Sequence, residues 1–307
     1  MQVFTDYSTK DGYSGLGTLP NDLQQITQRL YHQFNATIPK EKRQSLTYHQ
    51  WYADFPEEIR KSVTSIQNHS FWKTLCKDAK GCGIVPIESM NELYYSVAPP
   101  NKRKDMSLYG ATGNFDPHVD GIFHFPKVHL YRVLIGLSDG NTNVETKFVN
   151  QEKGMFLNKN NYIAFDFDKT KHQVVNHANK TEETSPRIML KLHYCVFDNT
   201  NPDGLYAKTV VKAYEGFEKV TRFFMETGTN PSSLFDFFVG TFCVITNVNA
   251  WYFYVFSAAL FALVFNHFYP FKKKIRIGIQ RLNIGLWGAY VLITVFLWLR
   301  FSLTGLR

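Results

Sequence analysis

The sequence predicts an α+β protein, with helices first, a β core next and a pair of apolar helices at the C-terminus. Three observations predict it. Near the N-terminus, Leu23, Ile26, Leu30 and Phe34 recur at helical spacing. From Arg187 to Val196 two sets of side chains alternate with period 2. Residues 237–266 and 282–299 contain no Asp, Glu, Lys, Arg or His.

Each element follows from its residues. The first helix starts behind a candidate cap at Asn21 and Asp22. Residues 57–68 and 70–78 are further helix candidates. These helices would cover the apolar outer face of a β-sandwich. Residues 91–97 read as a strand stopped by Pro99 and Pro100, with a charged loop at 101–105. The stretch 131–137 is rich in β-branched and aromatic residues, which favour a strand. Asp139 and Gly140 then form a turn. Another strand, 162–167, precedes His172.

In the last strand Ile188, Leu190, Leu192, Tyr194 and Val196 share one face, and Arg187, Met189, Lys191, His193 and Cys195 share the other. One face can pack on the body while the other lines a polar pocket. Residues 208–227 are amphipathic, with Val210, Tyr214, Phe217 and Phe224 on one side and Gly228 as a natural stop. The expected division is helical support over 1–90, a core over 91–204, a connecting helix over 205–233 and an anchor over 234–307.

The residues that carry chemistry lie inside the core. His118 and Asp120 stand two apart, His172 follows 52 residues after Asp120, and Arg187 follows 15 after His172. Residues two apart on an extended segment project to the same side. Two imidazoles and a carboxylate on one face of a metal are the donor set of non-heme Fe(II) oxygenases. Three protein ligands leave positions for a bidentate keto acid and O2. The far carboxylate of that acid needs a charged partner, and arginine offers a planar, two-pronged one. An HxD pair alone is common by chance. The ordered set with a strand-borne cation is more specific.

At these residues the chain resembles a known family. Residues 108–197, roughly a third of the chain, are similar to the double-stranded β-helix (jelly-roll) core of the 2-oxoglutarate- and Fe(II)-dependent oxygenases. Residues 132–139, then Glu145, Thr146, Lys147 and Phe148, then Lys153 and Gly154, resemble the prolyl 4-hydroxylase type of core. Phe165 and Asp166, then 172–176, then Pro186, Arg187 and Ile188, resemble the aspartyl/asparaginyl β-hydroxylases. The double glycine usual before Glu-Thr in the first branch is Asn143-Val144 here, and Arg187 replaces its common lysine.

The resemblance implies a jelly-roll core; the helical spacing before it adds N-terminal supporting helices, and the two charge-free runs after it add a C-terminal two-helix transmembrane anchor. It implies His118, Asp120 and His172 as metal ligands and Arg187 as the co-substrate cation. Lys191, on the same strand face, is the runner-up, and Arg132 is a third candidate because the second branch uses a cation on the early strand. Fe(II), 2-oxoglutarate and O2 are the implied cofactors, with ascorbate optional. The implied reaction is hydroxylation of a peptide or protein side chain.

Taken singly, each residue has a plainer reading. His118 fits a surface turn after Pro117, His172 a solvated loop and Arg187 a strand-edge charge. His124, His129, His177 and His193 compete for ligation. His193 shares the pocket-side face with Arg187, so it reads as a residue near metal or substrate, or equally as a hydrogen-bonded interior histidine.

The C-terminal runs are long enough for membrane helices, since a ~30 Å hydrocarbon core takes about 20 apolar residues. Aromatic residues at 251–254, 268–271, Trp287 and Trp298 flank or punctuate them. Spans are expected near 243–266 and 283–301. The connector carries Lys272, Lys273, Lys274, Arg276 and Arg281. A short basic loop belongs on the cytoplasmic side, which would put the core opposite. Yet the N-terminus shows no charged region followed by an apolar stretch. We expect a cytoplasmic core. A lumenal core, or the membrane of a virion or host organelle, is the alternative. The basic loop could also bind anionic phosphate groups on any membrane surface.

The net charge of +8 is modest and most concentrated in that loop, so nucleic acid is not an expected partner. Cys76, Cys82, Cys195 and Cys243 fit no zinc spacing, and reduced thiols are the default. Cys76 and Cys82 could pair only in an oxidising compartment. No HxxHH box is present, which excludes a membrane fatty-acid hydroxylase. Two function classes remain. One is the membrane-anchored hydroxylase. The other is a structural or interaction protein: a membrane-fixed β-sandwich, for instance of a membrane-bearing virion, with an idle site.

Overall fold

Helix α1 (Asn21–Thr37) buries Leu23, Thr27, Leu30 and Phe34, the face its spacing requires. The expected cap is not one. Asn21 and Asp22 lie inside the first turn, behind Pro20, and Asp22 Oδ1 accepts the Leu23 N–H at 2.9 Å. Helix α2 (Glu57–Gln67) buries Ile59, Val63 and Ile66. The third helix candidate is a 3-10 turn, Ser70–Leu75. The computed structural model describes residues 14–44, 47–75, 82–96, 117, 119–121, 125–139, 144–177, 186–198, 201–229, 233–236, 238–239, 255, 258–259, 261–265 and 273–304.

Among these residues ten strands form: β1 (Ser14–Thr18), β2 (Thr47–Trp51), β3 (Cys82–Pro86), β4 (Glu92–Ser96), β5 (Val128–Gly136), β6 (Val144–Phe148), β7 (Lys153–Phe156), β8 (Asn161–Asp166), β9 (His172–Asn176) and β10 (Arg187–Asp198). The larger sheet runs β1-β8-β5-β10-β4-β2, with β3 on β10, and the smaller runs β7-β6-β9. These strands pair antiparallel. The segment 1–90, expected to be helical support, thus also supplies β1, β2 and β3. Each is five residues long, too short for its periodicity to stand out, and each forms because a distant strand completes its hydrogen bonds.

Three layers result. Ile188, Leu190, Leu192, Tyr194 and Val196 of β10 pack with Leu23, Leu30, Phe34, Ile59 and Val63 of α1 and α2. On the other face Leu134, Ile163, Phe165 and Met189 meet Phe148 and Met155 of the smaller sheet. Helices thus cover one face of the large sheet and a second sheet covers the other, the layering of a jelly-roll core. The alternation in β10 separates the two interiors.

Helix α3 (Leu205–Thr229) places Ala207, Val210 and Tyr214 in a cluster with Leu130, Phe167, Cys195 and Phe197. Gly228 does not stop it, though the helix outlasts Gly228 by one residue, within ordinary fraying. The chain divides into two compact units, with the described residues up to 218 in the first and those from 219 in the second.

In the second unit helix α4 (Lys273–Thr304) is continuous. Lys273, Lys274, Arg276 and Arg281 therefore stand on a helix, not in the expected loop; straight-chain basic residues are good helix formers. Asn283 Nδ2 donates to the Ala259 and Ile279 carbonyls at 3.1 and 2.9 Å. Among the described residues no helix is long and apolar enough to cross a membrane. The expected first span, 243–266, lies mostly outside them. The described structure therefore lends the two-span anchor no support.

Candidate active site

The interior between the sheets collects the polar residues of three strands. Arg187, Lys191 and His193 stand on the face of β10 away from the helices. Arg132 of β5 lies opposite His193, and Glu92 of β4 opposite Lys191. Asp120 sits on a segment tied to the turn after β8, where the Gly121 N–H donates to the Phe167 carbonyl at 3.0 Å. His172 opens β9.

Asp120 Oδ2 and His172 Nε2 face each other at 3.4 Å. His172 Nδ1 lies 3.2 Å from the Thr170 carbonyl. A carbonyl only accepts, so Nδ1 carries a proton and Nε2 is the ring nitrogen turned to the carboxylate. A metal ion, or a proton, between these two atoms would bond to both. Metal-bound histidines commonly donate their other ring N–H to a carbonyl in this way. Metal bonds of about 2.1 Å meeting at about 90–110° separate two donors by about 3.0–3.4 Å. The described pair therefore fits a divalent metal with N and O ligands. Phe165 and Phe148 wall the imidazole, with ring centroids 4.7 and 6.2 Å away.

His118 lies outside the described residues. Among those described, no group of three His, Cys, Asp or Glu side chains is placed to hold a metal. The structure thus brings together two of the three expected ligands. The competing histidines have their own partners. His129 faces Asp166 at 3.3 Å and His177 faces Glu145 at 2.7 Å. His124 lies outside the described residues.

The three candidate cations differ in what they already hold. Arg132 Nη1 donates to Asp120 Oδ2 at 2.6 Å. Lys191 pairs with Glu92 and lies over the Tyr94 ring at 4.5 Å. Burial opposes the charge on Glu92, but Lys191 and His49 outweigh it and hold its carboxyl well below the usual range. Arg187 is 6% exposed, and its Nε has no hydrogen-bond partner among the described residues. Burial pushes Arg187 down to about 10, so it stays charged at neutral pH. A buried, charged guanidinium without a counter-ion is costly and calls for an anion. Two carboxylates are matched to two cations, and Arg187 is left over. Neither Arg132 nor Lys191 is placed as the co-substrate cation by these contacts.

His193 is interior and hydrogen-bonded, with Nε2 accepting the Arg132 Nε–H at 2.9 Å. Burial, then Arg132, pushes its pKa well down, so the ring is neutral.

Sequence reasoning gave no site role to Glu92, Phe167, Asp168 and Tyr214. An acid in the strand that pairs with Lys191 was the one available signal for Glu92. Asp168 gave none: burial pushes its carboxyl up to about 7, and Tyr214 of α3 donates to it at 2.8 Å. A Cβ on Gly121 would sit 1.9 Å from Asp168 Oδ1 and 2.6 Å from the Phe167 ring. Gly121→Ala is therefore expected to displace the Asp120 segment. Metal affinity should fall about 10–100-fold, with a stability loss of about 1–3 kcal/mol. Metal titration and urea unfolding measure the two, and unchanged affinity would show that the segment yields freely.

No family model matches the chain, and no curated protein matches it. Solved structures similar to it include a prolyl-4-hydroxylase of Pseudomonas putida, at 13% identity and TM-score 0.35, covering 62% of this chain and 94% of that one. Another is the viral collagen prolyl hydroxylase of Paramecium Bursaria Chlorella virus-1, at 14% and 0.35, covering 60% and 95%. A third is the non-heme alpha ketoglutarate dependent epimerase SnoN from nogalamycin biosynthesis, at 12% and 0.39, covering 62% and 80%. Likeness at this level assigns no residue a role, so the site stands on its own geometry.

Proposed function

We propose that the chain is a 2-oxoglutarate- and Fe(II)-dependent hydroxylase acting on a side chain of a peptide or protein. One observation carries this reading: the same interior holds an Asp120–His172 pair at 3.4 Å and a buried Arg187 with no anion on its Nε. Fe(II), with 2-oxoglutarate and O2, would supply the oxidation of an unactivated C–H bond. The residues of the chain do the positioning. Asp120 and His172, with His118, would hold the metal. Arg187 would hold the distal carboxylate of the keto acid by charge-assisted hydrogen bonds. Phe148 and Phe165 keep water from the imidazole. The peptide substrate follows from the family resemblance of 108–197.

A C-terminal membrane anchor belongs to this reading. Its support is the pair of charge-free runs and the exposed apolar surface of α4, where Ile284 and Leu292 are each 73% exposed. We place the core on the cytoplasmic side. Protease cleavage of the 272–281 segment from the cytoplasmic side of sealed vesicles would move the core across. Full-length protein that stays soluble without detergent would remove the anchor.

The decisive assay is succinate release by full-length protein in detergent, with Fe(II), 2-oxoglutarate, O2 and ascorbate. Release is expected to need both iron and keto acid and to rise with a peptide substrate. Release that never depends on peptide counts against the peptide. No release under any condition favours the structural alternative.

A further inference from the structure

Arg132 makes two directed contacts. Its Nε–H donates to His193 Nε2 at 2.9 Å and its Nη1 to Asp120 Oδ2 at 2.6 Å. Its guanidinium lies over the Phe167 ring at 4.5 Å. His193 faces it across the β10–β5 ladder and is held by its own backbone. Its N–H donates to Asn91 Oδ1 at 3.2 Å, and its carbonyl accepts from Gln67 Nε2 at 3.0 Å and the Ile87 N–H at 2.9 Å. A guanidinium is a rigid planar fork, so fixing one prong and one face sets the direction of the rest. Among the described residues Asp120 lies outside the strands, and the Gly121 N–H ties its segment to the Phe167 carbonyl at 3.0 Å.

We propose that Arg132 and His193 are positioning residues for Asp120: His193 accepts the Arg132 Nε–H and so fixes the guanidinium that holds the Asp120 carboxylate toward His172. The inference rests on the metal reading of Asp120 and His172. It gives Arg132 a task other than holding the co-substrate, and it gives His193 a task other than ligation.

The test reads metal binding, with no turnover required. Metal-free full-length protein is titrated anaerobically with Co(II) and followed by its d–d absorption. His193→Phe keeps a ring but removes the acceptor. Arg132→Lys keeps the charge but loses the fork. Each is expected to weaken Co(II) binding by about 10–100-fold, the scale for groups that orient metal ligands. The double variant should bind no more weakly than Arg132→Lys alone, because His193 acts through Arg132. His193→Gln restores an acceptor and should recover most of the affinity.

Unchanged binding in His193→Phe overturns the proposal. So does a double variant whose losses add in full, or a His193→Gln as weak as His193→Phe. If His193→Phe fails to fold, Arg132→Lys and His193→Gln decide: wild-type affinity in Arg132→Lys, or a large loss in His193→Gln, overturns it. Wild-type protein without a Co(II) band would overturn the metal reading first, and is told apart because it fails before any variant is compared.

Discussion

Asp120→Ala is expected to abolish metal binding and to destabilise the metal-free protein at the same time. The carboxylate serves two partners, His172 at 3.4 Å and Arg132 at 2.6 Å. The Arg132 and Asp120 side chains are only 16% and 14% exposed, so removing the anion strands a largely buried cation. Losing one member of such a pair costs about 3–5 kcal/mol. Asp120→Asn separates the two effects. Its amide oxygen still accepts from Arg132, so most of the stability should return, while metal binding stays lost for want of the negative charge. His172→Ala removes a ligand but leaves the Asp120–Arg132 pair in place, so it should lose the metal with a smaller effect on folding. Anaerobic metal titration and urea unfolding of the metal-free proteins measure both quantities. Wild-type metal affinity in Asp120→Asn would remove Asp120 from the ligand set.

Arg187→Met is expected to weaken 2-oxoglutarate binding by about 2–5 kcal/mol, the scale for removing one side of a buried charge pair. That is a factor of about 30 to several thousand in Kd. Without co-substrate the same change should raise stability, because it replaces a buried charge that has no counter-ion on its Nε with an apolar chain of similar length. Opposite signs in binding and stability mark a residue kept for its ligand rather than for the fold. Lys191→Met should behave in the reverse way. It leaves Glu92 buried without its cation, so stability should fall while co-substrate affinity changes little. Calorimetric titration with 2-oxoglutarate and thermal unfolding of both variants check the pattern. Unchanged binding in Arg187→Met with loss in Lys191→Met would transfer the role to Lys191.

Several features were legible in the residues alone, because they are local. The inner face of α1 follows from Leu23, Leu30 and Phe34 at helical spacing. The two faces of β10 follow from alternation, and the structure sends Ile188, Leu190, Leu192, Tyr194 and Val196 to the helices and Arg187, Lys191 and His193 to the interior. The pairing of a carboxylate at 120 with a histidine at 172 was an expectation from residue type and order, and the two side chains do meet.

Other features were not legible, because they depend on partners far along the chain. β1 becomes a strand by pairing with β8, and β3 by pairing with the far end of β10. Five residues carry too little periodicity to announce this. Tyr214 reaches Asp168 only once α3 has docked. Above all, the sequence offered three candidate cations, Arg187 first, then Lys191 and Arg132. Which of them is available depends on which carboxylate lies opposite each one. The register places Glu92 beside Lys191, the segment before β5 brings Asp120 to Arg132, and the Arg187 Nε is left without a partner among the described residues. Residue type alone raised the expectation that the interior holds a metal and an acid. Only the tertiary structure decided which charges cancel, because burial makes an unmatched charge costly and a matched one quiet.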